Sequence, residues 1–325
     1  MRTTKKLLIL LSILLCLPLN IANATAPKIV VSIKPIHSIT THITEGITEP
    51  TLLLPDGASP HTFLLKPSHR KLIQEADLLI WVGENCETHL EKIIAQNKSK
   101  ALTLMSYPTL KILTLRKDRD FSLIHNPIPQ PKHRHEHEHE HAHEHHDHSH
   151  ASNEDAHIWL SVENAKLITT AILERLIQLD PAHEKEYRHN AEQYQKQLDT
   201  LKETLAQRFA QTKPAPFLVF HDAYQYFETE FGISSIGSIL INPHVPLTAR
   251  ALSHIQSLIE KYHVHCIYYE PEYSYQALKP ILSKQGLQLL ELDHLGVRQA
   301  KGLGCYEKMM LALSTQLIAC KNSHS

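Results

Sequence analysis

Histidine dominates the chemistry this chain could do. Ten of its 26 histidines (His133, His135, His137, His139, His141, His143, His145, His146, His148 and His150) lie between Pro131 and His150, interleaved with glutamates and one aspartate. Imidazoles with an ordinary pKa near 6.5 are mostly neutral at pH 7, so their lone pairs are free for a divalent metal. The stretch holds too little apolar surface to build a core. It reads as a solvated loop that gathers an ion such as Zn2+ at many weak, exchanging sites. His135-Glu136-His137-Glu138-His139 formally matches the zinc-protease spacing H-E-x-x-H. That pattern requires a helix with an apolar face, and here it arises from simple alternation.

Three single histidines are better placed for a tight site. His61 and His221 each follow an apolar run that reads as a strand, and His157 comes just after the tract. In open α/β sheets ligands collect beyond the carboxyl ends of the strands. Asp155 and Asp222 stand close in sequence to His157 and His221 and are expected to orient them, as carboxylates commonly orient ligating imidazoles. His37, His69, His244 and His254 make weaker versions of the same case and are expected on the surface.

The elements that must position these residues repeat. Lys28 to Ile33, Thr51 to Leu54 and Ala76 to Gly83 read as short strands, with a helix expected from a Ser68 cap through Glu75. This is βαβ alternation, which predicts a parallel sheet flanked by helices. After the tract, Ser161 is placed to cap a helix through about Leu179, and Asp180-Pro181 restarts one. Tyr187, Ala191, Tyr194, Leu198, Leu201, Leu205 and Phe209 then step by threes and fours, the stripe of one long helix. A second α/β set follows, with strands at 217–220, 266–269 and 287–292 and a helix from Thr248 to Tyr262. The expected fold is α/β: two similar lobes with parallel sheets joined by one long rigid helix. The expected boundaries are 1–24 for a signal peptide, 25–179 for the first lobe including loop 131–150, 180–211 for the linker helix and 212–325 for the second lobe.

The amino terminus carries Arg2, Lys5 and Lys6, an apolar run from Leu7 to Leu17 and the small-residue site Ala22-Asn23-Ala24. That is the layout of a secretory signal cleaved after Ala24, and it is too short for a membrane span. Leu15 precedes Cys16 where a lipid-anchored protein would carry a small residue, so the mature protein is expected to be exported and soluble. A formal net charge of −1 argues for neither nucleic acid nor an anionic membrane surface. Cys86, Cys266, Cys305 and Cys320 remain after cleavage, and four cysteines allow three full pairings.

From Lys28 to about Cys320 the chain resembles the metal-binding solute-binding proteins of ABC importers, and most of all their zinc-uptake branch. The resemblance is carried by LLLPDGASPH (52–61), KPS (66–68) with EADLLIWVG (75–83), DAHIWLS (155–161) after a His-rich insert, VFHDAYQYFE (219–228), and EP (270–271) with LDHLG (292–296). It implies that His61, His157 and His221 hold one Zn2+ in the cleft between the lobes. Manganese-carrying relatives have Glu where His221 stands and a carboxylate matching Asp293. Pro60 replaces an acidic residue often found before the first histidine, which leaves water or Asp293 for the fourth position. The family also implies a Cys266–Cys320 disulfide, with Cys86 and Cys305 left open.

The expected function is capture of Zn2+, as cargo and not as a catalytic group, in the periplasm and delivery to the membrane subunit of an ABC permease, by a monomer without chemistry. Two other readings are a zinc buffer working through the tract alone and a three-histidine zinc hydrolase. The hydrolase needs a general base and a substrate pocket beside the metal.

Overall fold

The structure is a computed structural model that describes residues 26–116, 118–121, 153–240, 247–273, 276 and 287–320. The expected signal peptide, the tract 131–150 and His244 lie outside these residues.

The first half holds β1 (Ile29–Val31), α1 (Lys34–Ile43), β2 (Thr51–Leu52), α2 (Pro67–Glu75), β3 (Leu78–Trp81), α3 (Glu91–Ala95) and β4 (Ala101–Thr103). Then come α4 (Val162–Leu179) and α5 (Glu184–Gln211). The second half holds β5 (Phe217–His221), α6 (Gln225–Phe231), β6 (Gly237–Leu240), α7 (Ala249–Lys261), β7 (Cys266–Tyr269), β8 (Gln288–Glu291) and α8 (Cys305–Ala319). The two sheets are all parallel, with orders β2-β1-β3-β4 and β6-β5-β7-β8. Each half therefore places its first strand inside its sheet, and the topology occurs twice.

Parallel strands covered on both faces read as continuous apolar runs, and that is what these are. Ile29 and Val31 of β1, Leu78 and Ile80 of β3, Phe217 and Val219 of β5, and Cys266 and Tyr268 of β7 all face one core that runs through both halves. Their alternate neighbours face separate outer clusters, Val30, Leu79 and Trp81 in one half and Leu218, Phe220 and Ile267 in the other. The two sheets thus share a core, in contrast to two lobes that merely touch.

The helix caps follow local chemistry. Ser161 Oγ accepts from Asn164 N at the start of α4, and Thr248 Oγ1 accepts from Ala251 N at the start of α7. Ser68 does not cap α2. Pro67 occupies the first turn, where its missing N–H costs nothing, and Lys66 precedes it with its own N–H donated to His69 Nδ1. Asp180-Pro181 starts a single 3-10 turn (Pro181–His183), after which α5 runs for 28 residues, about 42 Å. All seven stripe residues from Tyr187 to Phe209 are buried.

The segment between β4 and the tract is not confined to the first half. Phe121 N donates to Ile236 O at 2.9 Å and Ser238 N to Arg119 O at 3.2 Å, laying residues 119–121 antiparallel beside β6. A Cβ at Gly237 would lie 1.9 Å from the Arg119 carbonyl oxygen, so the close approach requires glycine. Arg116 reaches Asp222 and Glu228 and stacks over the Phe121 ring. A disulfide joins Cys266, at the head of β7, to Cys320, just past α8. Cys86 and Cys305 are separate buried thiols.

Candidate metal centre

Three loops deliver the three expected histidines to one point. His61 sits in the loop after β2, half-buried, with Ser59 Oγ accepting from its backbone N–H at 3.3 Å. His157 directly precedes a 3-10 turn (Ile158–Leu160) and is buried. His221 is the last residue of β5, also buried. One nitrogen from each lies within 4.8 Å of the other two. His157 Nε2 is 3.3 Å from both His61 Nε2 and His221 Nε2. A tetrahedron with metal–nitrogen bonds of 2.0–2.1 Å has edges of about 3.3–3.4 Å, so these spacings match a zinc coordination shell.

For His157 and His221 the outer partners show which ring nitrogen carries its lone pair inward. His157 Nδ1 is 2.7 Å from Asp155 Oδ1, which places its proton there and leaves Nε2 as a lone pair. Asp155 is itself held, its N–H donating to Leu113 O and its carbonyl accepting from Tyr226 OH. His221 Nδ1 faces Glu270 Oε1 at 3.2 Å, just beyond the end of β7. Asp222, expected to orient His221, does not: it is taken by the Arg116 guanidinium, with Nε on Oδ2 at 2.8 Å. Asp222 lies just past the end of β5, in a bend, and its carboxylate is turned to Arg116 instead of to the imidazole. Burial first, and then the neighbouring His221, lower the His157 pKa to about 3. Burial works the same way on His221, but the Glu270 carboxylate, helped by Glu272 and Asp222, outweighs it and raises that pKa. Two lone pairs aimed at each other across 3.3 Å repel unless a cation lies between them.

Asp293 is not brought to this set. Its Oδ1 accepts from the backbone of Leu295 and Val297 and its Oδ2 from that of Arg298, which builds the turn after β8. His37, expected on the surface, is buried in α1 with Nε2 2.9 Å from Pro50 O. His69 is half-buried on α2, and His254 is exposed. A fourth imidazole packs against the centre. His294 follows β8 and its ring centroid lies 5.2 Å from that of His221 and 5.8 Å from that of His157. A histidine directly beyond a strand end, the same signal that marked His61 and His221, was available for it in LDHLG.

The match to known proteins agrees with this geometry. The family described as "ZnuA: Zinc-uptake complex component A periplasmic" matches residues 29–320. This chain belongs to the ZnuA family. The "High-affinity zinc uptake system protein ZnuA" of Brucella abortus (strain 2308) is 34% identical over 303 residues, which is 90% of this chain and 91% of that protein. That of Yersinia pestis is 30% identical over 317 residues, 97% of each. Among solved structures, a crystal structure of ZnuA superposes with a TM-score of 0.72 at 21% identity, over 91% of this chain and all of that one. The paired parallel sheets described above are thus those of the ZnuA fold.

Proposed function

We propose that this chain captures Zn2+ in the periplasm and delivers it to the membrane permease of an ABC importer. The observation that carries the reading is the convergence of His61, His157 and His221, buried or half-buried, at spacings that fit a zinc shell. Nitrogen donors suit zinc better than manganese or magnesium, which prefer oxygen. The relatives named high-affinity zinc uptake proteins support the same cargo.

The protein binds its ion and does not transform it. Release proceeds by local loop motion, since the two halves share a core and are cross-tied. Lys34 of α1 donates to the carbonyls of Val297 and Gln299, and Ser38 Oγ donates to Gly302 O. His61 rides on the movable part, a half-exposed loop linked to the second half through Ser59 Oγ and Tyr273 OH at 3.0 Å. Residues 1–24 export the chain and are removed, and no described helix is long and apolar enough to cross a membrane. The mature monomer carries a first lobe to residue 179, a linker helix and a second lobe from 212. The tract 131–150 concentrates Zn2+ near the centre.

The test is a chelator-competition zinc titration of the mature protein, of a version lacking residues 131–150 and of His221→Ala. One tight site should survive loss of the tract and vanish with His221. Tight binding that leaves with the tract and ignores His221 would make the protein a buffer.

A further inference from the structure

His294 is a buried imidazole packed against the metal centre. It is 1% exposed, and neither Nδ1 nor Nε2 has a hydrogen-bond partner among the described residues. Most buried polar groups are hydrogen-bonded, and an orphaned one calls for an explanation, a bound ion among them. An imidazole with both nitrogens unpaired forgoes two bonds in a place where water cannot supply them. A phenyl or leucyl side chain would fill the same space without that cost.

Its surroundings indicate what the ring is for. The spacings from His294 to His221 and His157, 5.2 and 5.8 Å, fall in the range that the three candidate ligands keep among themselves, 5.2 to 5.8 Å. Its backbone is pinned, because Trp159 Nε1 donates to His294 O at 2.8 Å, and its ring lies nearly parallel to the indole. Its neighbour Asp293 is turned away into the backbone of the following turn. The three converging donors leave one corner of a tetrahedron open, and the unpartnered His294 ring packs against two of the three imidazoles.

We propose that His294 supplies the fourth nitrogen ligand to the Zn2+ held by His61, His157 and His221. The inference rests on the zinc-capture reading. His294 is not among the three whose donor atoms all lie within 4.8 Å of one another, so ligation requires its ring to rotate toward the ion. No side-chain hydrogen bond has to break for it to do so. Four neutral imidazoles make a closed, all-nitrogen shell. Such a shell has no exchangeable water, which suits holding an ion over activating a nucleophile. It also offers no oxygen donor, which disfavours manganese, magnesium and calcium.

The experiment uses the full mature chain with slightly less than one equivalent of Zn2+, so that the tight site fills before the tract. Zinc K-edge absorption fine structure should show four imidazoles in the wild type and three after His294→Phe, a change that keeps the stacking on Trp159. The same variant should lose at least about tenfold in zinc affinity, a loss that removal of even an outer-shell partner can reach. Co2+ bound in place of zinc should show a tetrahedral ligand-field band that shifts between the two proteins. His294→Gln serves as a second variant should the phenylalanine disturb folding, which melting in the presence of a chelator reports. Three imidazoles in the wild type, or affinity and Co2+ spectrum unchanged in both variants, overturn the role of His294. His61→Ala separates the two readings. If it abolishes tight binding while the His294 variants do nothing, the centre stands and the fourth ligand falls. If it leaves tight binding intact, the centre itself is misplaced.

Discussion

His157 and Asp155 are two residues apart, and a single carboxylate oxygen of Asp155 accepts both the backbone N–H of His157 at 3.0 Å and its Nδ1–H at 2.7 Å. The pair is a rigid local unit: the same atom sets where the ring begins and which way it points. Asp155 in turn directly follows Glu154, which forms an isolated antiparallel bridge with Thr114.

Removing that oxygen should loosen a ligand without removing it. Asp155→Ala keeps the backbone bonds to Leu113 and Tyr226 and frees the His157 ring to rotate. Zinc affinity is expected to fall about 10–100-fold by chelator competition. An unchanged affinity would show that the ring needs no orienting.

Zinc should stabilise the fold by binding the native state alone. At a free concentration 1,000 times Kd the gain is about 4 kcal/mol, seen as a higher Tm. His61→Ala, on a half-exposed loop, should melt like the wild type without metal and gain almost nothing with one equivalent. A full zinc-induced shift in that variant would remove His61 from the centre.

Arg116 is the counter-charge for two buried acids, Asp222 and Glu228, with Nη1 2.7 Å from Glu228 Oε2. Burial alone would lower the guanidinium pKa, but the two carboxylates outweigh it and raise it, so the side chain stays charged. Arg116→Met should cost roughly 3–5 kcal/mol in urea unfolding, because both acids are left uncompensated. A loss below ~1 kcal/mol would mean that the network is dispensable.

Cys266 and Cys320 close a loop of 54 residues between β7 and the end of α8. In the chain-entropy account this contributes about 4 kcal/mol. The double Cys→Ala variant should unfold at correspondingly lower denaturant, and reduction should move the wild type by the same amount. Coincident curves for oxidised and reduced protein would contradict this.

Glu87 offers a pH signature away from the metal centre. Its Oε2 accepts from Val82 N and Gly83 N while Oε1 has no partner among the described residues. Burial is the main cause that raises its pKa from 4.5 to about 7. Between those values the native state holds a proton that the unfolded chain has released. Its contribution therefore falls as pH rises through that window, by about 3 kcal/mol, and stays level above it. Glu87→Gln cannot titrate, so between pH 4.5 and pH 8 its stability should decline less than that of the wild type. Parallel curves would sink the assignment.

Much of the fold was legible because its signals are local. The α5 stripe repeats every three or four residues, and each of its members is buried. Ser161 and Thr248 announce their helices through bonds to residues three positions on. β4, β6, α1, α3, α6 and α8 were not anticipated. β4 is three residues long and half-buried, and Lys34, His37 and Ser38 gave α1 a polar look. Those polar groups are buried because they pair with distant atoms: Lys34 with Val297 and Gln299, Ser38 with Gly302, His37 with Pro50.

By itself the sequence determined the α/β class, the long helix, a histidine-rich insert and three histidines whose chemistry suits zinc. Each of these depends on residue type and short-range spacing. Tertiary structure decided that those three histidines share one point, across sequence separations of 96 and 64 residues. It also chose Glu270 over Asp222 as the partner of His221, turned Asp293 into a turn former, and buried His294 against the cluster. Those outcomes follow from which strands pair and which faces meet, and side-chain direction at a strand end is set by the register of a whole sheet.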